Sequence, residues 1–392
     1  MPPPIQAPEI RCMNYPGKTI IFWGLSLLAM ALLGSCAATT SGNAPAVPFS
    51  RFIGPDDCPG NNAFADPYVF QEGDAWYLTS TYTVGRPMAM FKTTDWQAKM
   101  RLPLSIDLNP EYLRAHFNNP GITPQGIWGF VPYRHADGRW HAYGSIHIGN
   151  FKTFICHFKP MTSTWPITQW RLDKVLVGTP ASHTYETKVY ADATGCYLFY
   201  VDQLADGNNH IMVRKLRTPD EIDESFAPRP ILSPEGLASE YRNGRAGMQI
   251  CEGPNIVKVA GKVAMFYSVG DFAEKNYKLG IAYSDSLVPP VGRQYTKPKA
   301  ADPTGIWGNP GNPNEIVYLL QTEKENWPNF QAARITGPGL GNLVLYQGNN
   351  YLVFHAHDFG KTSGKGSGRW TWICPVAINP KAPLAEWLKP LP

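Results

Sequence analysis

One unit recurs five times along this chain of 392 residues, and the recurrence constrains the fold more than any other feature. A short apolar strand meets a glycine-containing turn, and an aromatic-rich strand follows. The unit reads DPYVFQEGDAWYLTSTY at 66–82 and GFVPYRHADGRWHAYGSI at 129–146. It reads TKVYADATGCYLFYVDQ at 187–203, GPNIVKVAGKVAMFYSVG at 253–270 and GNLVLYQGNNYLVFHAH at 341–357. The turn glycines are Gly73, Gly138, Gly195, Gly261 and Gly348. A third alternating strand follows each hairpin, at 87–96, 153–162, 210–219, 277–287 and 369–378. Alternation with period two marks strands, and Asp-Gly or Gly-Asn pairs mark hairpin turns. A sheet of three or four such strands cannot bury both faces alone. Copies stacked around an axis can, so the chain reads as all-β, a five-bladed β-propeller. A β-sandwich is the competing arrangement, and the ordered recurrence disfavours it. Residues 288–336, rich in Pro, Gly and Asn, read as an excursion inserted before the fifth unit.

Composition agrees. With 36 glycines, 37 prolines, 12% aromatic and only 17% charged residues, the chain is turn-rich and aromatic-rich. Disorder needs the opposite balance, and a helical bundle or coiled coil does not tolerate so many turn residues. The net charge of +4 is small and dispersed, which argues against a nucleic-acid partner.

The N-terminus reads as an address. Residues 19–35 form the one long apolar run, preceded by Lys18 and ended by Leu33-Gly34-Ser35-Cys36, which resembles a bacterial lipobox. The run is short for a membrane span, which needs about 20 residues. The reading is therefore a signal peptide over 1–35, with Met13 the better start and Cys36 lipidated. Residues 37–50 read as a tether and 51–392 as one propeller domain. This places the protein at a bacterial cell envelope, with the outer membrane favoured by Ala38 after the lipidated Cys. Cys58, Cys156, Cys196, Cys251 and Cys374 fit no zinc spacing. Buried free thiols are expected, with a Cys196–Cys251 disulfide the alternative.

Three acids open apolar inner strands: Asp66 in blade one, Glu186 in blade three and Glu252 in blade four. A lone charge there is costly without a purpose. The corresponding positions in blades two and five read as Trp128 and Pro338. The first strand of each blade lines the central channel, so the three carboxylates are expected to share one pocket. Glycoside hydrolysis needs such a group: one carboxyl protonated to serve the leaving oxygen, one ionised to activate water. Crowded like charges separate the pKa values that these roles require.

These residues carry a resemblance. Ala65-Asp66-Pro67, the run Gly73–Leu78, Glu252-Gly253-Pro254, the runs Met265–Ser268 and Tyr283–Leu287, Gly337-Pro338-Gly339 and Tyr351–Ala356 fall in matching blades. The sequence resembles the five-bladed β-propeller glycosidases of glycoside hydrolase family 43 and its relatives: arabinanases, α-L-arabinofuranosidases and β-xylosidases. The likeness spans roughly residues 60–380. It implies that Asp66 is the general base, Glu252 the general acid, and Glu186 the carboxylate that orients and tunes the acid. Glu186 is one methylene longer than the family's usual Asp. Inversion is implied, with a carboxyl gap of about 6.5–9.5 Å. Trp128, His183 and His357 are the expected substrate contacts, since aromatic faces suit sugar C–H surfaces. No cofactor is expected to be required. Leu340 stands where the family often has a His near a central calcium, which sets the chain apart there, although His355 and His357 lie close by. The expected partners are a glycan substrate and, through the lipid alone, a membrane; a monomer is expected.

No Asp-box, fructan-cleaving, nucleotide-binding or HExxH motif occurs. Two alternatives stay open: a carbohydrate-binding propeller without turnover, and an enzyme of the same architecture for an anhydro- or uronic-type sugar.

Overall fold

The computed structural model describes residues 47–392 apart from 62, 238–239, 242–247, 260, 300–315, 317, 323–334, 359–367, 382–387 and 391–392. The apolar run, Cys36 and residues 37–46 of the expected tether lie outside the described residues.

The recurrent unit folds as the pattern predicts. Blade one holds Tyr68–Glu72, Ala75–Thr79, Met88–Thr93 and Met100–Asp107; blade two holds Gly126–Arg134, Trp140–His147, Thr153–Pro160 and Gln169–Val177. Blade three holds Thr184–Asp192, Gly195–Gln203 and Asn209–Thr218, with Glu221–Ile222 and Arg229–Leu232 on its outer edge. Blade four holds Cys251–Val259, Lys262–Val269, Lys278–Ser284 and Tyr318–Gln321; blade five holds Ile335–Tyr346, Asn349–Asp358 and Arg369–Ile378. All five turn glycines have left-handed φ, from +61° at Gly73 to +150° at Gly195, a region open to glycine because it has no Cβ.

Blades one and two are joined at their outer edges, where Ser105–Asp107 and Gln169–Arg171 pair in parallel. Blade five is completed from the other end of the chain: Ser50–Ile53 pairs antiparallel with its third strand, Arg51 opposite Trp372. Val47 is buried, and Phe49 stacks on Trp372 at 5.8 Å. Residues 47–50, expected in the tether, therefore belong to the propeller, because their apolar side chains and backbone bonds complete its last blade. The excursion over 288–336 also needs correction. It contains the fourth strand of blade four, Tyr318–Gln321, which pairs with Lys278–Gly280.

Apolar faces of neighbouring blades pack on each other. Phe199 and Val213 meet Met265 and Tyr267 between blades three and four; Leu279 and Phe266 meet Phe354 and Trp372 between blades four and five. Each such buried side chain contributes about 1.5–3 kcal/mol. All five described cysteines, Cys196 and Cys251 among them, are free thiols.

One backbone device repeats on the channel side. The inner strands of blades two to five skip register between Trp128 and Val131, Tyr185 and Lys188, Glu252 and Asn255, and Gly339 and Asn342. Each skip is a β-bulge, which re-aims a side chain. Left-handed residues mark them: Gly129, Glu186, Gly253 and Leu340, with Asp66 just before the inner strand of blade one.

Candidate active site

The bulges settle which residues are equivalent. The spacing places Asp66, Glu186 and Glu252 at one position, with Trp128 and Pro338 in the other blades. By backbone conformation the series is Asp66, Gly129, Glu186, Gly253 and Leu340. Glu252 and Trp128 stand one residue earlier, so Glu252 approaches the pocket from a different backbone atom than the other two acids. A left-handed φ is disfavoured for a residue with a Cβ, by about 1–2 kcal/mol. Asp66 at +56° and Glu186 at +49° are held there by the surrounding sheets.

All three acids line one cavity of about 210 Å³. Thr81 and Trp128 come to it from blades one and two, Tyr185 and Asn209 from blade three, and Arg369 from blade five. Phe151, His183, Ile250 and Phe272 come from the connecting turns. Trp128 stacks on His147 at 4.7 Å and meets Tyr185, Phe151 and His183 edge-on at 5.9, 6.2 and 6.3 Å. His183 Nδ1 bonds to the Phe151 carbonyl at 2.5 Å. The rings of Trp128, Phe151, His183 and Tyr185 form an aromatic part of the cavity lining. His357 does not join it. It is buried, with the Phe272 carbonyl 3.1 Å from its Nε2, and it is not among the residues that line the cavity. The period-two pattern puts His357 on the inner hairpin of blade five, but the side chain is buried with its Nε2 on the Phe272 carbonyl rather than among the cavity-lining residues.

Asp66 is held ionised. Its Oδ1 accepts from Arg369 Nη1 at 2.9 Å and its Oδ2 from Thr81 Oγ1 at 2.6 Å. His355 Nδ1 lies 3.0 Å from the Asp66 amide nitrogen and 3.2 Å from Oδ1. Burial alone would raise the pKa of Asp66; Arg369 first, with the Thr81 hydroxyl, outweighs it and holds the carboxyl well below the usual range. Burial, and then Arg369, push His355 down to about 4, so the ring is neutral.

Glu252 is held from both sides by phenols. Tyr277 Oη donates to Oε1 at 2.5 Å and Tyr185 Oη to Oε2 at 2.6 Å, while Asn209 Nδ2 donates to Tyr185 Oη at 2.6 Å. Burial raises its pKa; the two phenols pull against that, and Asp66 adds to the rise. Glu186 is pushed well above the usual range by burial, then Glu252, then Asp66, with Lys188 opposing. Its Oε2 is buried without a hydrogen-bond partner. Two acids are thus biased toward the proton and one against it.

Several residues around the three acids escaped the sequence reading, among them Arg369, Thr81, Tyr185, Asn209, Tyr277 and Lys188. Lys188 gave the same signal as the acids, a lone charge inside an apolar inner strand. It is 1% exposed, and burial draws its pKa down to about 8 against the pull of Glu186 and Asp66.

No family model and no curated protein matches the sequence. Solved structures do. A thermostable family-43 glycoside hydrolase superposes with a TM-score of 0.60 at 18% identity, covering 84% of this chain and 92% of its own. The chain has the fold of a family-43 glycoside hydrolase. Others with this family-43 fold include the Cellvibrio cellulosa α-L-arabinanase complexed with arabinohexaose: TM-score 0.60, 18% identity, 84% of this chain and 95% of its own. The α-L-arabinofuranosidase from Lactobacillus brevis matches at TM-score 0.60 and 14% identity, over 86% of this chain and 96% of its own.

The central calcium that the family-43 fold allows does not fit the residues here. Leu340 Cδ2 lies 1.9 Å from where a Cβ on Gly253 would stand, and Glu186 Oε2 lies 3.4 Å from that same point. An apolar side chain therefore occupies the space beside the carboxylate. Among the described residues no group of three or more His, Cys, Asp or Glu side chains is arranged to hold a metal.

Proposed function

We propose that this chain is a glycoside hydrolase, cleaving an arabinofuranoside- or xyloside-like bond of a poly- or oligosaccharide with inversion. The observation that carries the reading is three buried carboxyls lining one cavity in unlike settings: Asp66 paired with Arg369, Glu252 held between Tyr185 and Tyr277, and Glu186 with its Oε2 unpartnered, which favours the ion on Asp66 and the proton on the other two. Glu252 gives its proton to the leaving glycosidic oxygen as the C–O bond breaks. Water adds to the anomeric carbon from the opposite face, and its proton passes to Asp66. Burial and the nearby Asp66 charge favour the proton on Glu252, and Glu186 is the neighbouring carboxyl that positions it in the same cavity. Trp128 and the neighbouring rings support the sugar ring. A panel of neutral and uronic glycans, read for released sugar and for the product anomer by NMR, tests the activity and its stereochemistry. Asp66→Asn and Glu252→Gln should each lower kcat/KM by about a thousandfold or more with the fold retained. Near-wild-type turnover in either variant removes the assignment.

A second reading, a glycan-binding propeller without turnover, is favoured by one observation. The Arg369 ion pair makes Asp66 a weak base, and a general base works best with a pKa near the working pH. Glycan binding by calorimetry, with no sugar released from any panel member, would select it.

For its location, the lipobox-like run supports a protein carried at the cell envelope by lipid on Cys36. Cys36→Ser should move it from the membrane fraction to the soluble one.

A further inference from the structure

Asp206, His210 and Ser233 stand in one hydrogen-bonded row in blade three. The strands Asn209–Thr218 and Arg229–Leu232 pair with Ile211 opposite Leu232, so His210 and Ser233, one residue further along each, come side by side. His210 Nδ1 lies 2.9 Å from Ser233 Oγ. Its Nε2 lies 3.0 Å from Asp206 Oδ2 and 3.2 Å from Oδ1. A carboxylate only accepts, so Nε2 carries the proton and Nδ1 is left to accept from the serine hydroxyl. Asp206 is itself held: the Asn208 backbone N–H donates to Oδ1 at 3.0 Å and Asn208 Nδ2 to Oδ2 at 3.1 Å. Ser233 is held too. Lys297, buried in a 2.7 Å ion pair with Glu240, donates to the Ser233 carbonyl at 2.7 Å. Gln294 Nε2 donates to Ser233 Oγ at 3.0 Å. His210 is buried, while Ser233 is half-buried and Asp206 exposed.

A serine hydroxyl bonded to an imidazole, whose other nitrogen is held by a carboxylate, is activated for attack whatever the chain order. We propose that this row is a second hydrolytic site, a serine esterase centre that cleaves short-chain acyl esters of acetyl size. Ser233 Oγ adds to the ester carbonyl carbon as its proton passes to His210 Nδ1. Gln294 Nε2 donates to the carbonyl oxygen as that atom gains negative charge. The C–O bond to the alcohol breaks, and the alcohol leaves with the proton from His210. Water then adds to the acyl-serine and gives a proton to His210. The bond from Ser233 Oγ to the acyl carbon breaks, the carboxylic acid departs, and Ser233 recovers the proton from His210. Asp206 touches no reacting atom; it is a positioning residue, which keeps His210 in the required tautomer and supports its charged form. The groups that meet Ser233 Oγ, His210 and Gln294, are polar, which suits a short acyl group over a fatty chain. Asn209, next to His210 in the strand, lines the large cavity, so the row stands at the same end of blade three. No step uses Asp66, Glu186 or Glu252, so this site stands or falls apart from the glycosidase reading.

The full chain is assayed with p-nitrophenyl acetate and with a fluorophosphonate probe, which labels serines activated in this way. The wild type should release nitrophenol faster than buffer does, and mass spectrometry should find the adduct on Ser233. Ser233→Ala and His210→Gln should each lower kcat/KM for the ester by about a hundredfold or more and abolish the adduct. Asp206→Asn should lower kcat by about tenfold or more with KM unchanged, and Asp206→Glu should restore part of it. Asp66→Asn, which removes the proposed glycosidase base, should leave ester cleavage unchanged. A wild type that carries no adduct on Ser233, or ester cleavage undiminished in Ser233→Ala, overturns the proposal. Should Ser233→Ala or His210→Gln not fold, the wild-type adduct decides: label on Ser233 supports the site, and label elsewhere or nowhere overturns it.

Discussion

The rings of Tyr277 and His355 lie face to face, 5.8 Å between centroids and 7° between planes. Tyr277 holds Glu252 by its hydroxyl, and His355 holds the Asp66 amide. The stack therefore joins the residue proposed as acid to the residue proposed as base, across blades four, five and one. Gly339 makes it possible, since a Cβ there would fall 2.1 Å from the Tyr277 ring.

Tyr277→Phe keeps that stack and removes one hydroxyl. A hydrogen bond donated to a carboxylate favours its charged form, so losing it raises the Glu252 pKa. The basic limb of the kcat/KM profile should move to higher pH. The stability loss should be modest, about 0.5–1.5 kcal/mol by denaturant unfolding. A basic limb that stays in place or moves down would contradict the assignment of Glu252 as the acid.

Arg369→Met should act on the other limb. Without the guanidinium the Asp66 carboxyl titrates nearer the usual range, so the acidic limb of kcat/KM moves to higher pH. Asp66 has a folded pKa below its unfolded value of 3.8, so its stabilising contribution is present above that pH and is lost as pH falls through the folded value. The variant should lose about 3 kcal/mol at neutral pH, from a buried charge left without its partner, and progressively less in acid. Thermal midpoints across pH check the sign.

Glu186 gives the opposite sign. Its folded pKa lies above the unfolded value of 4.5, so its contribution is fully present below that pH and is lost as pH rises through the folded value. Glu186→Gln does not titrate. The wild type should therefore lose stability relative to Glu186→Gln as pH rises from about 4.5 into the neutral range. A stability difference that is flat with pH would refute the raised pKa.

Gly253→Ala should be severely destabilising. The added Cβ meets Leu340 Cδ2 at 1.9 Å, and φ is +71°. Overpacking costs about 1–3 kcal/mol and the left-handed backbone about 1–2 kcal/mol. Leu340→Ala in the same chain should recover the packing part only, giving a non-additive pair in a double-mutant cycle. Full additivity would mean that the two residues do not meet.

The blades were legible in the sequence because each is local. A hairpin needs only its glycine turn and its alternation, and the five turn glycines do adopt left-handed φ. The three acids were legible too, because a charge opening an apolar strand is anomalous wherever it falls. The ring around them was not. Arg369 reaches Asp66 across 303 residues, and Tyr185 reaches Glu252 across 67. Such pairs are made by blades closing into a circle, which no local period encodes. His357 shows the same limit from the other side: alternation puts it on the inner hairpin, yet its ring is buried against the Phe272 carbonyl of the preceding blade and is not among the cavity-lining residues.

The strand Ser50–Ile53 has a consequence in time. It precedes every other described strand, yet its partner Arg369–Ile378 follows all of them but Leu388–Pro390. Until Arg369–Ile378 has been made, Ser50–Ile53 has no strand to pair with. Blades built from local hairpins can assemble as they emerge, whereas the latch joins residues far apart in sequence and so forms slowly. The cavity borrows Arg369 from the latched blade and Asp66 from the first, so its charges come together only when the latch shuts.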